Sequence, residues 1–139
     1  MNIYEQIAEW LLSIYSGFDN WLYFNVLRME SGSNSLSTVS GTTVLNEYID
    51  GSTENEIIFG ISLVRLYSTE MSTDNIDIMS EIEALVTAIE DSDTLPDFGE
   101  GYRVDSITIV QDIPSINIDQ DNNICEYQIQ ASINYIEKA

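Results

Sequence analysis

Histidine is absent from this chain of 139 residues, and lysine plus arginine number only 4. Without histidine the usual general base is missing, as are the Ser-His and Cys-His nucleophile pairs and the commonest metal ligand. The chain therefore reads as a non-enzyme, with no cofactor or metal expected. Scarcity of cations excludes a second class. Set against 24 Asp plus Glu, they leave a net charge of −20, and a phosphate backbone or an anionic membrane surface needs clustered positive charge. Direct nucleic-acid affinity and membrane binding are not expected.

Other absences narrow the field further. The one cysteine, Cys125, allows no internal disulfide, fits a reducing compartment and reads as a small buried hydrophobe. No apolar run is long enough to span a bilayer, and the opening "MNIYEQIAEW" has neither a basic n-region nor a long apolar h-region. A chain made and used in a cytoplasm is the expectation. Glycines in "FGEGY" lack both the spacing and the following helix of a phosphate loop.

What is present suits a globular fold. An apolar fraction of 44% and an aromatic fraction of 10% are ordinary for a folded protein. One domain of this length buries about two thirds of the surface its unfolded chain exposes.

Ile3, Ile7, Trp10, Leu11 and Ile14 recur at helical spacing, with Asn2 and Glu5 as a capping pair and Gly17 as a stop. Trp21 to Met29 is an apolar, aromatic run that predicts a strand. "ESGSNSLSTVSG", residues 30–41, breaks all periodicity and reads as a mobile Ser/Asn-rich loop. Thr42 to Asp50 and Glu56 to Ser68 flank an Asp-Gly turn and predict an antiparallel hairpin with a loop longer than the two-residue minimum. On its second arm Ile57, Phe59, Ile61, Leu63 and Tyr67 share one face, while Ile58, Val64 and Leu66 occupy the other. That pattern predicts a strand covered on both sides, either central or at a subunit contact.

A second helix starts near Asp74, capped by Ser72, Thr73 or Asp74, with Ile78, Ile82, Leu85, Val86 and Ile89 as its core stripe. "DSDTLPDFGEG" ends it, and strands follow over Tyr102 to Asp112 and Ile124 to Ile136, separated by the turn-rich "SINIDQDNN". In the last strand Tyr127, Ile129, Ala131, Ile133 and Tyr135 alternate with polar residues. The fold class is therefore α+β, a mostly antiparallel sheet of about five strands packed by two helices.

Candidate chemistry is sparse. Two carboxylates suffice for glycoside hydrolysis, but 24 acids place some pair close together by chance. "DQDNN", Asp119 to Asn123, opens like a calcium loop and then carries Ile124 where the turn needs glycine and Gln130 where a bidentate Glu belongs, so it reads as a polar turn. Trp10 and Trp21 read as core. Between Glu70 and Asp105 eleven carboxylates face Arg103 alone. The plain reading is a solvated face; the alternatives are a surface that DNA passes without sticking, or an imitation of DNA.

The N-terminal amphipathic helix, "YIDGS" leading into a long apolar strand, a second helix followed by "LPDF", and a terminal strand ending "INYIEKA" together resemble phage tail terminator proteins, a family that includes minor capsid and head-tail joining proteins. The likeness spans nearly the whole chain, residues 1–139, as a single domain. It implies a small α+β subunit, expected to form a hexameric ring on the last layer of tail tube protein. There it stops tube growth and meets the head connector or, in contractile particles, the sheath; headless tail-like bacteriocins use comparable caps. The location implied is a virion or tail-like particle assembled in the bacterial host cytoplasm. Residues 30–41 match no family feature and read as a contact loop that orders on assembly.

In such a ring, heterologous contacts and exposed strand edges do the work. Arg28, Arg65 and Arg103 are candidates to pair with acids of a neighbouring subunit, and pairing within the subunit is the alternative for each. Other readings are an acidic DNA-mimic inhibitor of a host DNA-binding protein and an acidic adaptor or secretion-apparatus subunit.

Overall fold

In the computed structural model of the protein, residues 3–15, 22–24, 34–39, 41–66, 72–119 and 124–139 are described. Two helices and six strands lie among them: α1 (Ile3–Ile14), β1 (Tyr23–Phe24), β2 (Asn34–Thr38), β3 (Thr43–Glu47), β4 (Thr53–Leu66), α2 (Ser72–Glu90), β5 (Tyr102–Asp119) and β6 (Ile124–Glu137). The strands form one open sheet in the order β1-β2-β4-β6-β5, with β3 also on β4. Only the short β1–β2 pairing is parallel. This is the small α+β fold that the residue pattern predicts. The caps at Asn2 and Gly17, and most of the strand expected over Trp21 to Met29, fall outside the described residues.

Period-two alternation decides which face of the sheet is dry. Ile57, Phe59, Ile61 and Leu63 of β4 sit opposite Ile133, Ala131, Ile129 and Tyr127 of β6, and all eight are buried. Leu36 joins this row from β2. Against it α1 lays Ile7, Trp10 and Leu11, and α2 lays Ile78, Ile82, Leu85 and Ile89. Burying each large aliphatic or aromatic side chain contributes about 1.5–3 kcal/mol over leaving it wet. Both helices thus lie on one face of the sheet.

The opposite face is polar. It carries Glu54, Glu56 and Ser62 from β4 and Gln128, Gln130, Ser132 and Asn134 from β6. Gly60 lies at its centre, where an added Cβ would come within 3.0 Å of both Gln128 Nε2 and Ser37 Oγ. β4 is central in the sheet, one of the two positions the sequence allows for it. Its second face is buried at Gly60, Ser62 and Val64 but only half-buried at Glu54, Glu56 and Ile58.

Two readings need correction. Residues 30–41 were expected to be a loop, yet Asn34–Thr38 is a strand with Asn34, Ser35 and Leu36 buried. Ladder bonds to β4 and the burial of Leu36 outweigh the weak strand propensity of Ser and Asn. β2 and β3 run along the same flank of β4. From Thr38 to Thr43 the chain advances five residues while the partners in β4 move only from Phe59 to Glu56.

The second correction concerns "SINID", expected to be part of a turn. β5 instead continues to Asp119. It passes Pro114 where the register slips between Gln111 and Ser115. A proline has no N–H for the ladder, and an edge strand at a bulge is where a sheet tolerates one.

Candidate interaction surface

Asp50 and Gly51 set the turn between β3 and β4. The Gly51 amide donates to Tyr48 O at 3.0 Å and the Tyr48 amide to Ser52 O at 2.9 Å, which leaves a three-residue loop, Ile49 to Gly51. Gly51 has φ +92°, the left-handed residue that ends such a hairpin turn. Asp50 Oδ1 accepts from Ser52 N at 2.9 Å and from Ser52 Oγ at 2.5 Å. The Ser52 hydroxyl, then its amide, hold the Asp50 carboxyl below the usual carboxylate range.

This hairpin projects from the packed part of the sheet. All five residues of β3 are exposed, and its apolar members find no cover: Val44 is 57% exposed, Leu45 43%, Tyr48 46% and Ile49 fully so. Acids lie among them. Asn46 Nδ2 donates to Glu54 Oε2 at 2.7 Å and Tyr48 OH to the same oxygen at 3.2 Å. Partial desolvation and the Glu54 carboxylate raise the Tyr48 phenol above its usual range. Four apolar side chains thus stand exposed on one hairpin.

Across the sheet β5 forms the other edge. Among the described strands it pairs with β6 alone. Ser106 to Val110 is an uncharged stretch of it, with Val110 53% exposed. At its start Arg103 Nε donates to Asp105 Oδ1 at 3.0 Å, a pair whose side chains are 66% and 38% exposed. The Lys138 amide donates to Gly101 O at 2.7 Å, so Lys138, also exposed, stands at the same corner. Among the described residues Asn134 Oδ1, on the row between Glu56 and Ser106, is buried without a hydrogen-bond partner.

The structure separates the three arginines named from the sequence. Arg65 pairs within the chain, the alternative read for each arginine. Its Nε donates to Glu81 Oε2 at 3.0 Å, its Nη2 to Glu81 Oε1 and, at 2.8 Å, to Asn34 Oδ1, and its Nη1 to Val64 O at 2.9 Å. The pair ties β4 and β2 to α2, with side chains only 14% and 26% exposed. Parity carried the signal: Arg65 lies two residues after Leu63, on the face that the helices cover. Arg103 is at the β5 edge, and Arg28 falls outside the described residues.

Cys125 is fully buried, and burial pushes its thiol up, away from the reactive thiolate. Trp10 is a core residue whose Nε1 donates to Thr94 O and Oγ1, each at 3.2 Å; Trp21 is outside the described residues. Of the acidic tract, Glu83, Glu90, Asp91, Asp93, Asp97, Glu100 and Asp105 are exposed. Among the described residues no group of acids and cysteine is arranged to hold a metal ion, and no helix is long and apolar enough to cross a membrane. Set against known protein families and curated sequences, the chain matches none.

Proposed function

We propose that this protein is a structural, ring-forming subunit that caps the end of a phage tail tube, or of a tail-like particle, ends its polymerisation and joins it to the head connector or sheath. The resemblance in element order to tail terminator proteins supports this reading. The observation that carries it is the β3 hairpin, which holds Val44, Leu45, Tyr48 and Ile49 in water. A monomer gains nothing from that exposure, whereas a subunit that packs against a copy of itself or a tube protein buries it. Two open sheet edges serve the same end, since a heterologous contact repeated by rotation closes into a ring and hides them. The exposed acids keep unassembled copies apart and, in an assembled ring, disfavour adhesion of passing DNA.

The test is to mix the protein with purified tail tube protein and image the product. Rings seated on tube ends, with tube growth arrested, are expected. A strictly monomeric protein that leaves tube length unchanged would end this reading, as would turnover of a substrate. Competition with duplex DNA for a basic protein, by a monomer or dimer, would favour the DNA-mimic reading instead.

A further inference from the structure

We infer that the β3 hairpin of one copy pairs with the β5 edge of the next, so that the sheets of neighbouring subunits run on as one. This rests on the ring reading above and adds the contact, its direction and its register. The occupant of the hairpin is thus a second copy of this chain.

Direction and register follow from the sheet itself. β3, β4, β6 and β5 alternate in direction, so a copy placed beside the first in the same orientation brings β3 antiparallel to β5. The rows of the sheet are Glu47–Thr53–Glu137–Tyr102, Asn46–Glu54–Ile136–Arg103, Val44–Asn55–Tyr135–Val104 and Thr43–Glu56–Asn134–Ser106. Continued without a slide, these rows set Thr43 opposite Ser106, Val44 opposite Val104 and Glu47 opposite Tyr102 of the next copy. Each side chain then meets one on its own face of the sheet, as pairing requires. Both strands carry a one-residue irregularity in this segment, between Val44 and Asn46 and between Val104 and Ser106. The extra residues, Leu45 and Asp105, fall in adjacent intervals, so the strands come back into step over Thr43 to Asn46 against Ser106 to Arg103.

Charge selects the same pairing. Arg103 and Lys138 are the exposed cations among the described residues, and both stand at the β5 corner. This register continues the Arg103 row into Asn46 and then Glu54 of the next copy, an acid on the same face of the sheet as Arg103. The Asp105 contact occupies the Nε–H of Arg103, one of the five donors of a guanidinium. Between copies of net charge −20, an edge that places its few cations against the neighbour's acid is the one that repels least.

Cross-linking tests it directly. Thr43 and Ser106 are both exposed, and the one native cysteine, Cys125, is buried, so introduced thiols report cleanly. Residues opposed in an antiparallel pair lie about 4.5–5.5 Å apart at Cα, within reach of a disulfide. Copies carrying Thr43→Cys, mixed with copies carrying Ser106→Cys and oxidised mildly with copper phenanthroline in the presence of tube protein, should give a linked pair. The double variant should give a ladder, and each single variant alone should stay unlinked. Self-linking of either single variant would mean a symmetric contact and overturn the proposal. So would an unlinked mixture whose wild-type parent assembles by light scattering, in which case the ring reading survives. An unlinked mixture of a protein that stays monomeric with tube protein overturns both.

Discussion

The two ends of β4 have unlike surroundings. Toward Leu63 its Ile and Phe side chains lie under α1 and α2, and the Arg65–Glu81 pair and the Trp10–Thr94 bonds fasten the layers together. Toward Thr53 it is partnered by β3, whose Val44 and Leu45 stand in water. The first region is complete within one chain. The second has strand pairing and a well-made turn, but among the described residues its apolar side chains stay exposed.

Changes in the covered region should cost most. Phe59 is fully buried between sheet and helices, and Phe59→Ala should lower unfolding free energy by about 3–5 kcal/mol, read by urea denaturation. Arg65→Ala leaves a half-buried carboxylate and the Asn34 carbonyl without their donors and should cost about 1–3 kcal/mol. Combining it with Glu81→Leu should recover part of that, because no charge is then stranded. At the junction of the regions, Gly51→Ala forces a side chain to φ +92° with its Cβ 3.2 Å from that of Ala139. A loss of about 1–2 kcal/mol in thermal unfolding is expected.

Alkaline pH should separate the regions more gently. Burial, aided by the nearby charge of Glu81, raises the Tyr15 phenol; burial also raises that of Tyr4 and the Cys125 thiol. A group whose folded pKa is raised contributes stability that is full below its unfolded value and lost as pH rises through the folded value. Melting temperature should therefore fall above about pH 10, the ordinary tyrosine range. The loss should be smaller in Tyr15→Phe. Smallest of all should be the effect of Val44→Ser with Ile49→Ser, within about 0.5 kcal/mol on the stability of the isolated subunit, because these side chains bury little in it.

This contrast also marks how far the residue pattern could be read. Helical spacing found both helices, and alternation found β4 and β6, because burial on one face writes a period into the chain. It failed where tertiary pairing overrides local preference. Asn34 to Thr38 is made a strand by its ladder to β4 and by Leu36, and neither a Ser-rich composition nor a lone leucine announces that. Likewise β5 runs through Pro114 because an edge bulge accepts it. Arg65 was legible by parity, whereas the nakedness of Val44 and Leu45 was not: an uncovered strand and a covered one draw on the same residues, and only the position of the helices tells them apart.

The most direct measurement is the mass of the assembly by size-exclusion chromatography with light scattering, alone and with tube protein, for the wild type and for Val44→Ser with Ile49→Ser. A ring-sized wild type and a monomeric variant with an unchanged melting temperature are the predicted pair. A wild type that stays monomeric in both settings, or a variant that assembles as the wild type does, would contradict the account.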